Sequence, residues 1–257
     1  MVIFARFKSF WLGTLSFAVL LVLWESLVRL GWINPFLTSS PTDIAVHFVL
    51  QTQSGELSVN LGVSLLEFAL GFGGAVVAGI LMGILMGWYR LLEYTLEPFV
   101  WFLYSAPLIA FYPLFVIWLG LGAPTVIAIT FLFSYAPILV NTASGVKTVD
   151  KELLRAAISF GARRSDLFFK VVLPASVPMV MAGLRLGVGR ALLGVVVAEL
   201  FGATAGLGYS INYYGALMQT TDMFVSLVVI LVLGVGFTQG VAMLEHRFDS
   251  WRVGHEQ

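Results

Sequence analysis

The sequence predicts an all-α integral membrane protein with six membrane-spanning helices, on the basis of its composition, its apolar runs and the placement of its charges. Of the 257 residues, 59% are hydrophobic and only 11% are charged, whereas soluble domains contain about 25% charged residues. The mean hydropathy is +0.95. So few charged residues cannot cover the surface of a soluble globule of this size, and most of that surface must therefore face lipid.

Six apolar segments are long enough to cross a membrane, which takes about 20 residues for about 30 Å of hydrocarbon. They lie near residues 9–29, 61–88, 98–120, 124–146, 176–200 and 223–244. The first segment follows Arg6 and Lys8, as a signal peptide would, but no small-x-small cleavage site comes after it. We therefore expect a membrane anchor at this position, and a single transmembrane domain over residues 1–257.

The distribution of Lys and Arg predicts the orientation, because short cytoplasmic loops are enriched in these residues. The connections at 31–60, 122–124 and 201–222 contain neither residue. The remaining connections and both terminal segments carry Arg6, Lys8, Arg90, Lys147, Lys151, Arg155, Arg163, Arg164, Lys170, Arg247 and Arg252. Both termini, and the connection at 147–174, are therefore predicted to be cytoplasmic.

Small residues recur at every fourth position in two of the predicted spans. They are Gly71, Ala75, Gly79, Gly83 and Gly87 in the second span, and Gly183, Gly187 and Ala191 in the fifth. A row of small residues lets another backbone approach closely. We expect these faces to pack against other helices of the same chain rather than against another subunit.

Prolines interrupt two predicted spans, Pro107 and Pro113 in the third and Pro137 in the fourth. A proline frees a backbone carbonyl, which is tolerated at membrane depth where a neighbouring helix or a water-filled cavity satisfies it. The interruptions therefore suggest a pathway beside these two spans.

Several classes of function are excluded by what the sequence lacks. It has no cysteine, its three histidines (His47, His246 and His255) are far apart, and it has no GxxxxGK[ST] phosphate loop. A net charge of zero gives no indication of nucleic-acid binding. We therefore expect no metal, no cofactor bound by this chain and no enzymatic activity of its own.

Residues 147–174 form an unusual connection between the fourth and fifth spans. A helix beginning KELLRAA is expected after a cap at Thr148 or Asp150, with Gly161 ending it. A second helix is expected to begin at Ser165 and to end at Pro174 and Pro178. The connection combines six basic residues with many apolar ones, which need a cover. The membrane surface and a partner subunit both fit, and composition does not decide between them.

The same segment resembles the EAA motif of ABC-importer permeases: EAA, three residues, Gly, nine residues, an aliphatic, any residue, then Leu-Pro. The matching positions are Ala156, Ala157, Gly161, Val171, Leu173 and Pro174. Arg155 stands where the motif has Glu, and Val171 where it has Ile. The stretches SSPTDIAVHFV, SAPLIAFYPLFVIWLGLG and GLRLGVGRALLGVVVAELFGATAGLGYSI resemble the nitrate, taurine and aliphatic-sulfonate branch of that family.

The resemblance implies a type I ABC-importer (MetI-like) permease fold in a bacterial inner membrane. In this family the 147–174 segment is the coupling helix, which docks into a cleft on a cytoplasmic ATPase subunit where ATP is hydrolysed. The coupling residues so implied are Arg155, Ala156, Ala157, Gly161, Ala162, Phe168, Leu173 and Pro174. A second, identical permease chain and an extracytoplasmic solute-binding protein are the other partners that it implies.

Polar residues at span depth are the candidates for the pathway, because a charge in the membrane is costly. They are Arg190, Arg185, Glu199, Asn141 and Tyr104. A buried arginine suits an anion such as a sulfonate, nitrate or carboxylate, and a salt bridge between helices would explain it equally well. A stand-alone secondary transporter or channel is the alternative function, although such proteins usually contain repeats of the span pattern, and none is evident.

Overall fold

The described part of the chain, residues 2–34 and 36–248 of a computed structural model, is helical and contains no β-strand. Side chains are described for residues 11–34 and 36–245. The helices are α1 (Val2–Arg29), α2 (Pro41–Gln53), α3 (Glu56–Trp88), α4 (Arg90–Ser105), α5 (Tyr112–Leu119), α6 (Ala123–Lys147), α7 (Lys151–Ser159), α8 (Arg164–Asp166), α9 (Leu173–Gly202), α10 (Leu207–Ala216) and α11 (Thr220–Phe248).

Five of the six predicted spans are continuous helices long and apolar enough to cross a membrane. The third predicted span, 98–120, is not one continuous helix, and it is interrupted at Pro107 as predicted. It consists of α4 and a segment from Leu108 to Leu119 that ends in α5, with a 90° bend between them. Pro107 lies at the bend, where it has no N–H to continue the helix.

The other two prolines do not break the backbone. Pro113 lies in the first turn of α5, where a missing N–H has no helical partner to lose. Pro137 lies inside α6, which continues through it to Lys147, so the predicted interruption of the fourth span is not a break. The Asn141 side-chain amide donates to the Pro137 carbonyl at 2.8 Å within that helix.

The glycine faces of α3 and α9 pack against α6, as predicted from the small-residue spacing. A Cβ atom added at Gly83 would lie 2.6 Å from the Thr142 Cβ atom, and one at Gly187 would lie 2.7 Å from the Ile138 Cγ1 atom. Ala75 and Ala191 are fully buried. About half of the most apolar stretch of α6 is buried, against 6% for α1 and for α11. α6 is therefore the central helix, and α1 and α11 are peripheral.

The segment between α6 and α9, which we call the elbow (residues 147–174), begins as predicted. The Asp150 Oδ1 atom accepts the Glu152 N–H at 2.7 Å, which caps α7. Gly161 has φ +79° and donates its N–H to the Ile158 carbonyl at 2.9 Å, while the Ala162 N–H donates to the Ala157 carbonyl at 3.1 Å. These two bonds close α7 in a Schellman motif, which requires a residue in the left-handed region.

The second half of the elbow differs from the prediction. Its helix begins at Arg164 rather than being capped by Ser165, and the Arg163 N–H donates to the Asp166 carboxylate at 3.2 Å. The helix does not end at Pro174, because a π-helical turn over Leu167–Val172 precedes that proline. The Leu173 N–H donates to the Phe168 carbonyl, five residues back. This wider turn accommodates a proline without a break, so one helical path runs from Arg164 to Gly202.

The bundle has two chemically different ends. The connections that carry Lys and Arg meet at one end, called the basic end, where α3 and α6 finish and α9 begins. At the opposite end, the two long connections without Lys or Arg are joined to each other: the Gly206 N–H donates to the Asn60 Oδ1 atom at 2.9 Å. His47 and Gln51 of α2 both contact the Asp222 carboxylate of α11, at 2.8 and 2.9 Å.

We predict that Gly83→Ala destabilises the protein by about 1–3 kcal/mol, because the new methyl group would overlap Thr142 and the Leu139 carbonyl. Gly73→Ala is the matched control on the same helix, since a Cβ atom there meets nothing within 4 Å. Alanine favours a helix over glycine, so the control should be as stable as the natural protein or more so. The thermal unfolding midpoint in detergent measures both, and equal midpoints would contradict the close packing of α3 on α6.

Candidate functional site

A cavity of about 210 Å³ lies where the third span is bent. Its walls come from the end of α4 and the bend, from α6 and from α9. The lining residues are Leu103, Tyr104, Ala106, Pro107, Leu108, Ile109, Leu132, Phe133, Ala136, Pro137 and Arg190. Apolar and aromatic side chains dominate the wall, and Arg190 is its one charged residue.

Arg190 lies well inside the membrane-spanning part of α9. At 1.5 Å per residue it is about 18 Å along the helix from Gly202. Its side chain is exposed in the single chain, and among the described residues it has neither a hydrogen bond nor an ion pair. An arginine at this depth is costly, so a water-filled space, another chain or a solute must solvate it.

Two backbone carbonyls without a helical N–H donor belong to residues of the same cavity wall. Pro137 has no N–H to offer the Phe133 carbonyl inside α6, and α4 ends at Ser105, before a helical donor for the Leu103 carbonyl. Leu103 and Phe133 both line the cavity with Arg190. The sequence analysis predicted a pathway beside the proline-containing third and fourth spans. The cavity lies between these spans, and Pro107 and Pro137 line it.

Arg185 does not line this cavity. Its guanidinium forms an ion pair with the Glu245 carboxylate of α11 at 2.6 Å, and 45% of its side chain is exposed. The pair joins α9 to α11 towards the basic end. The sequence analysis gave a salt bridge between helices as one explanation for an arginine at span depth. For Arg185, the pair with Glu245 is such a salt bridge.

Glu199 is also remote from the cavity wall, and it anchors the short helix α10. Only 1% of Glu199 is exposed. Its carboxylate accepts the Ser64 hydroxyl at 2.5 Å and the Gly208 N–H at 2.6 Å. The Leu207 N–H in turn donates to the Ser64 oxygen at 2.8 Å. A carboxylate is stabilised at the N-terminus of a helix, and here it fixes that end of α10 to α3 and α9.

Glu67 is a site residue to which the sequence analysis gave no role. It is 2% exposed, and its Oε2 atom has no hydrogen-bond partner among the described residues. The signal for Glu67 was present in the sequence, because an acidic residue inside an apolar span is costly and marks an interaction.

Of the remaining candidates, Tyr104 lines the cavity with Arg190 and Asn141 does not. Asn141 donates to its own helix, and its Cβ atom lies next to Gly183 of α9. The structure therefore brings Arg190 and Tyr104 together, and places Arg185, Glu199 and Asn141 in contacts elsewhere.

The elbow presents an apolar outer surface that no other described residue covers. Leu153, Ile158 and Phe160 are 40%, 57% and 93% exposed. Leu154, on the inner side of α7, instead packs against the buried cluster of Val146, Val149 and Val172. An almost fully exposed phenylalanine on a well-anchored helix is typical of a surface that a partner covers.

The candidate coupling residues are distributed over both halves of the elbow. Arg155 and Ala156 are exposed on α7, and Gly161 and Ala162 form its C-terminal turn. Ala157 accepts the Ala162 N–H in that turn. Phe168 packs edge-on against Trp88 at 4.9 Å between ring centres, and Leu173 and Pro174 begin α9 directly after the π-helical turn. The structure alone does not assign them a partner.

A bundle of five continuous spans and one bent one, an arginine at membrane depth with no partner among the described residues, and an exposed elbow at one end together fit a membrane transport protein. The chain belongs to the family of binding-protein-dependent transport system inner membrane components, whose sequence pattern matches residues 75–250. It is thus a permease of the ABC-importer class, as predicted from the elbow motif.

Two curated relatives and one solved structure agree with this assignment. The chain is 33% identical over 244 residues to a putative aliphatic sulfonates transport permease of Bacillus subtilis, covering 95% of this chain and 88% of the relative. It is 31% identical over 245 residues to the taurine transport permease of Escherichia coli, covering 93% and 88%. An inward-facing methionine ABC transporter has the same fold, with a TM-score of 0.63 and 18% identity over 72% of this chain and 92% of that chain.

We predict that Glu199→Ala loosens α10, because the Gly208 N–H and the Ser64 hydroxyl would lose a buried acceptor at a cost of about 1–3 kcal/mol. Hydrogen exchange of the amides at 206–210 should become faster. Glu97→Ala is the control: among the described residues, this partly exposed side chain accepts one long hydrogen bond, from the Trp101 Nε1–H at 3.4 Å. Unchanged exchange in the Glu199 variant would contradict the anchoring role.

Proposed function

We propose that this chain is the membrane permease of an ATP-driven importer for a small organic anion such as a sulfonate or taurine, and that Arg190 meets the solute. The observation that carries the proposal is the unpaired Arg190 in the cavity at the bend of the third span. The cavity lies beside the one predicted span that is not a continuous helix.

The chemistry of the cavity favours an organic anion. A guanidinium group donates several hydrogen bonds in a fixed plane, which matches the oxygens of a sulfonate or carboxylate. Phe133, Leu132 and Tyr104 offer apolar surface for a short carbon chain. The names of the two relatives, which refer to aliphatic sulfonates and taurine, support the same class of solute.

The elbow is proposed to couple solute movement to ATP hydrolysis on a separate subunit. Leu153, Ile158 and Phe160 would fill a cleft on that subunit, and Gly161 would hold the turn that presents them. The helical path from Arg164 to Gly202 contains Arg190. A displacement of the second half of the elbow would therefore reach the cavity through one continuous helix, and α7 would transmit its displacement through the turn at Gly161.

The remaining partners follow from the two ends of the bundle. The basic end would face the cytoplasm, which places both termini and the ATPase subunits on that side. The opposite end, with α2 and α10, would receive the solute-binding protein. A second copy of the chain would complete the pathway around Arg190, and this chain would neither bind a cofactor nor hydrolyse ATP.

We predict that Arg190→Gln lowers uptake of radiolabelled taurine and butanesulfonate by more than tenfold in host cells that carry the variant as their only copy. A hydrogen bond to a charged group is worth about 1.5–3 kcal/mol, and about 1.4 kcal/mol corresponds to tenfold. Arg190→Lys should retain part of the activity, because the positive charge is kept.

Arg185→Gln is the matched control, since it removes the same charge from the same helix but breaks the pair with Glu245 instead. We expect Arg185→Gln to lower the stability of the protein more than its rate of uptake. The amount of each variant in the membrane is measured by immunoblot. Full uptake by Arg190→Gln at a normal level, or uptake of neither anion by the natural protein, would overturn the proposed solute class.

A further inference from the structure

A second cavity, of about 470 Å³, lies at the basic end of the bundle and takes no part in the proposed pathway. We call it the boundary cavity. One wall is the end of α3, and the other is the second half of the elbow. Its lining residues are Ile84, Leu85, Trp88, Tyr89, Arg164, Ser165, Phe168 and Phe169.

The boundary cavity lies at the basic end of the membrane-spanning helix α3, where we expect the border between hydrocarbon and headgroups. Ile84 and Leu85 belong to the last turns of the membrane-spanning helix α3. Trp88 and Tyr89 mark the end of that helix, where aromatic residues commonly lie at headgroup level. Arg164 and Ser165 come from the elbow. The cavity is therefore apolar towards the membrane centre and polar towards the basic end.

The polar part of the cavity carries an uncompensated positive charge. The Arg164 guanidinium lies 5.8 Å from the centre of the Trp88 ring, in a cation–π contact. The nearest acidic residue in sequence, Asp166, is paired with Lys170 at 2.7 Å. Among the described residues no acidic side chain forms an ion pair with Arg164. The charge is thus available to an anion, and the indole ring holds it at the cavity.

The boundary cavity shares Phe168 with the candidate coupling residues, but it lies apart from the exposed apolar residues of α7. The exposed apolar residues of α7, namely Leu153, Ile158 and Phe160, do not line the boundary cavity. Phe169 does line it, and is 66% exposed. The sequence left open whether a membrane surface or a partner covers the apolar residues of the elbow. The exposed residues of α7 and the boundary cavity are two different surfaces of the elbow.

We propose that the boundary cavity binds an anionic phospholipid. The phosphate would accept hydrogen bonds from the Arg164 guanidinium and the Ser165 hydroxyl, and an acyl chain would lie along Ile84, Leu85 and Phe169. A soluble phosphate would use only the polar part and leave the apolar wall uncovered. The lipid would link the end of α3 to the elbow, and the proposal does not depend on the solute or on the ATPase.

Native mass spectrometry of the detergent-purified chain, with added phosphatidylglycerol or phosphatidylcholine, tests the proposal. We expect Arg164→Gln to lower retention of phosphatidylglycerol by roughly tenfold, the effect of losing one charge-assisted contact. Retention of phosphatidylcholine should not change. Arg163→Gln is the matched control. It removes the same charge from the neighbouring position, and the Arg163 side chain does not line the cavity.

Two further variants and a competitor complete the test. Phe169→Ser should also lower retention, because the acyl chain loses part of its wall, and Arg190→Gln should leave it unchanged. If the Arg163 and Arg164 variants lose the same amount of bound phosphatidylglycerol, general electrostatic attraction to the basic end explains the binding, and the proposal is overturned. Displacement of the lipid by inorganic phosphate would overturn it as well, because the polar group alone would then account for binding. Neither outcome bears on transport through the Arg190 cavity.

Discussion

The structure depends on the close approach of α3 and α9 to the central helix α6. Lipid supplies no hydrophobic drive for helices to associate, so packing of small residues must hold them together. Glycines of α9 fit against α6 on either side of Arg190: Gly187 against Ile138, and Gly194 against Phe133. This register places Arg190 beside Phe133 and Pro137 in the cavity wall. The position of the only charged group in that wall is therefore a consequence of glycine packing elsewhere on the same helix.

The same helix connects the two functional regions of the molecule. A proline at position 174 would normally end a helix, and a break there would separate the elbow from the membrane. The π-helical turn over Leu167–Val172 instead lets the helix continue, so the second half of the elbow and Arg190 lie on one element. At the far end, Glu199 holds α10 against α3 through Ser64. Helix α9 thus has a fixed contact at each end and the solute cavity between them.

The sequence predicted the features that local chemistry determines. Five of the apolar runs are continuous spanning helices, as predicted. The small-residue spacing correctly predicted the faces of α3 and α9 that pack on α6. Asp150 and Gly161 correctly predicted where α7 begins and ends. It failed where a distant or unusual contact decides. The sequence predicted an interruption at Pro107, where the structure has a 90° bend, but it did not predict the π-helical turn by which the helix continues through Pro174. The partners of Glu199 and Arg185 lie on other helices, so spacing within one helix could not identify them.

Purification of the tagged chain from its native host, followed by mass spectrometry of the proteins retained, tests most directly the claim that the elbow couples this permease to an ATPase. Gly161 has φ +79° and open space at its Cβ position, so Gly161→Asn should keep the turn, while Gly161→Pro cannot adopt it. We expect an ATPase with a phosphate loop, in about equal amount to the permease, with the natural protein and the Asn variant. It should be lost with the Pro variant. Retention of the ATPase by both variants, or its absence from the natural protein, would contradict the account.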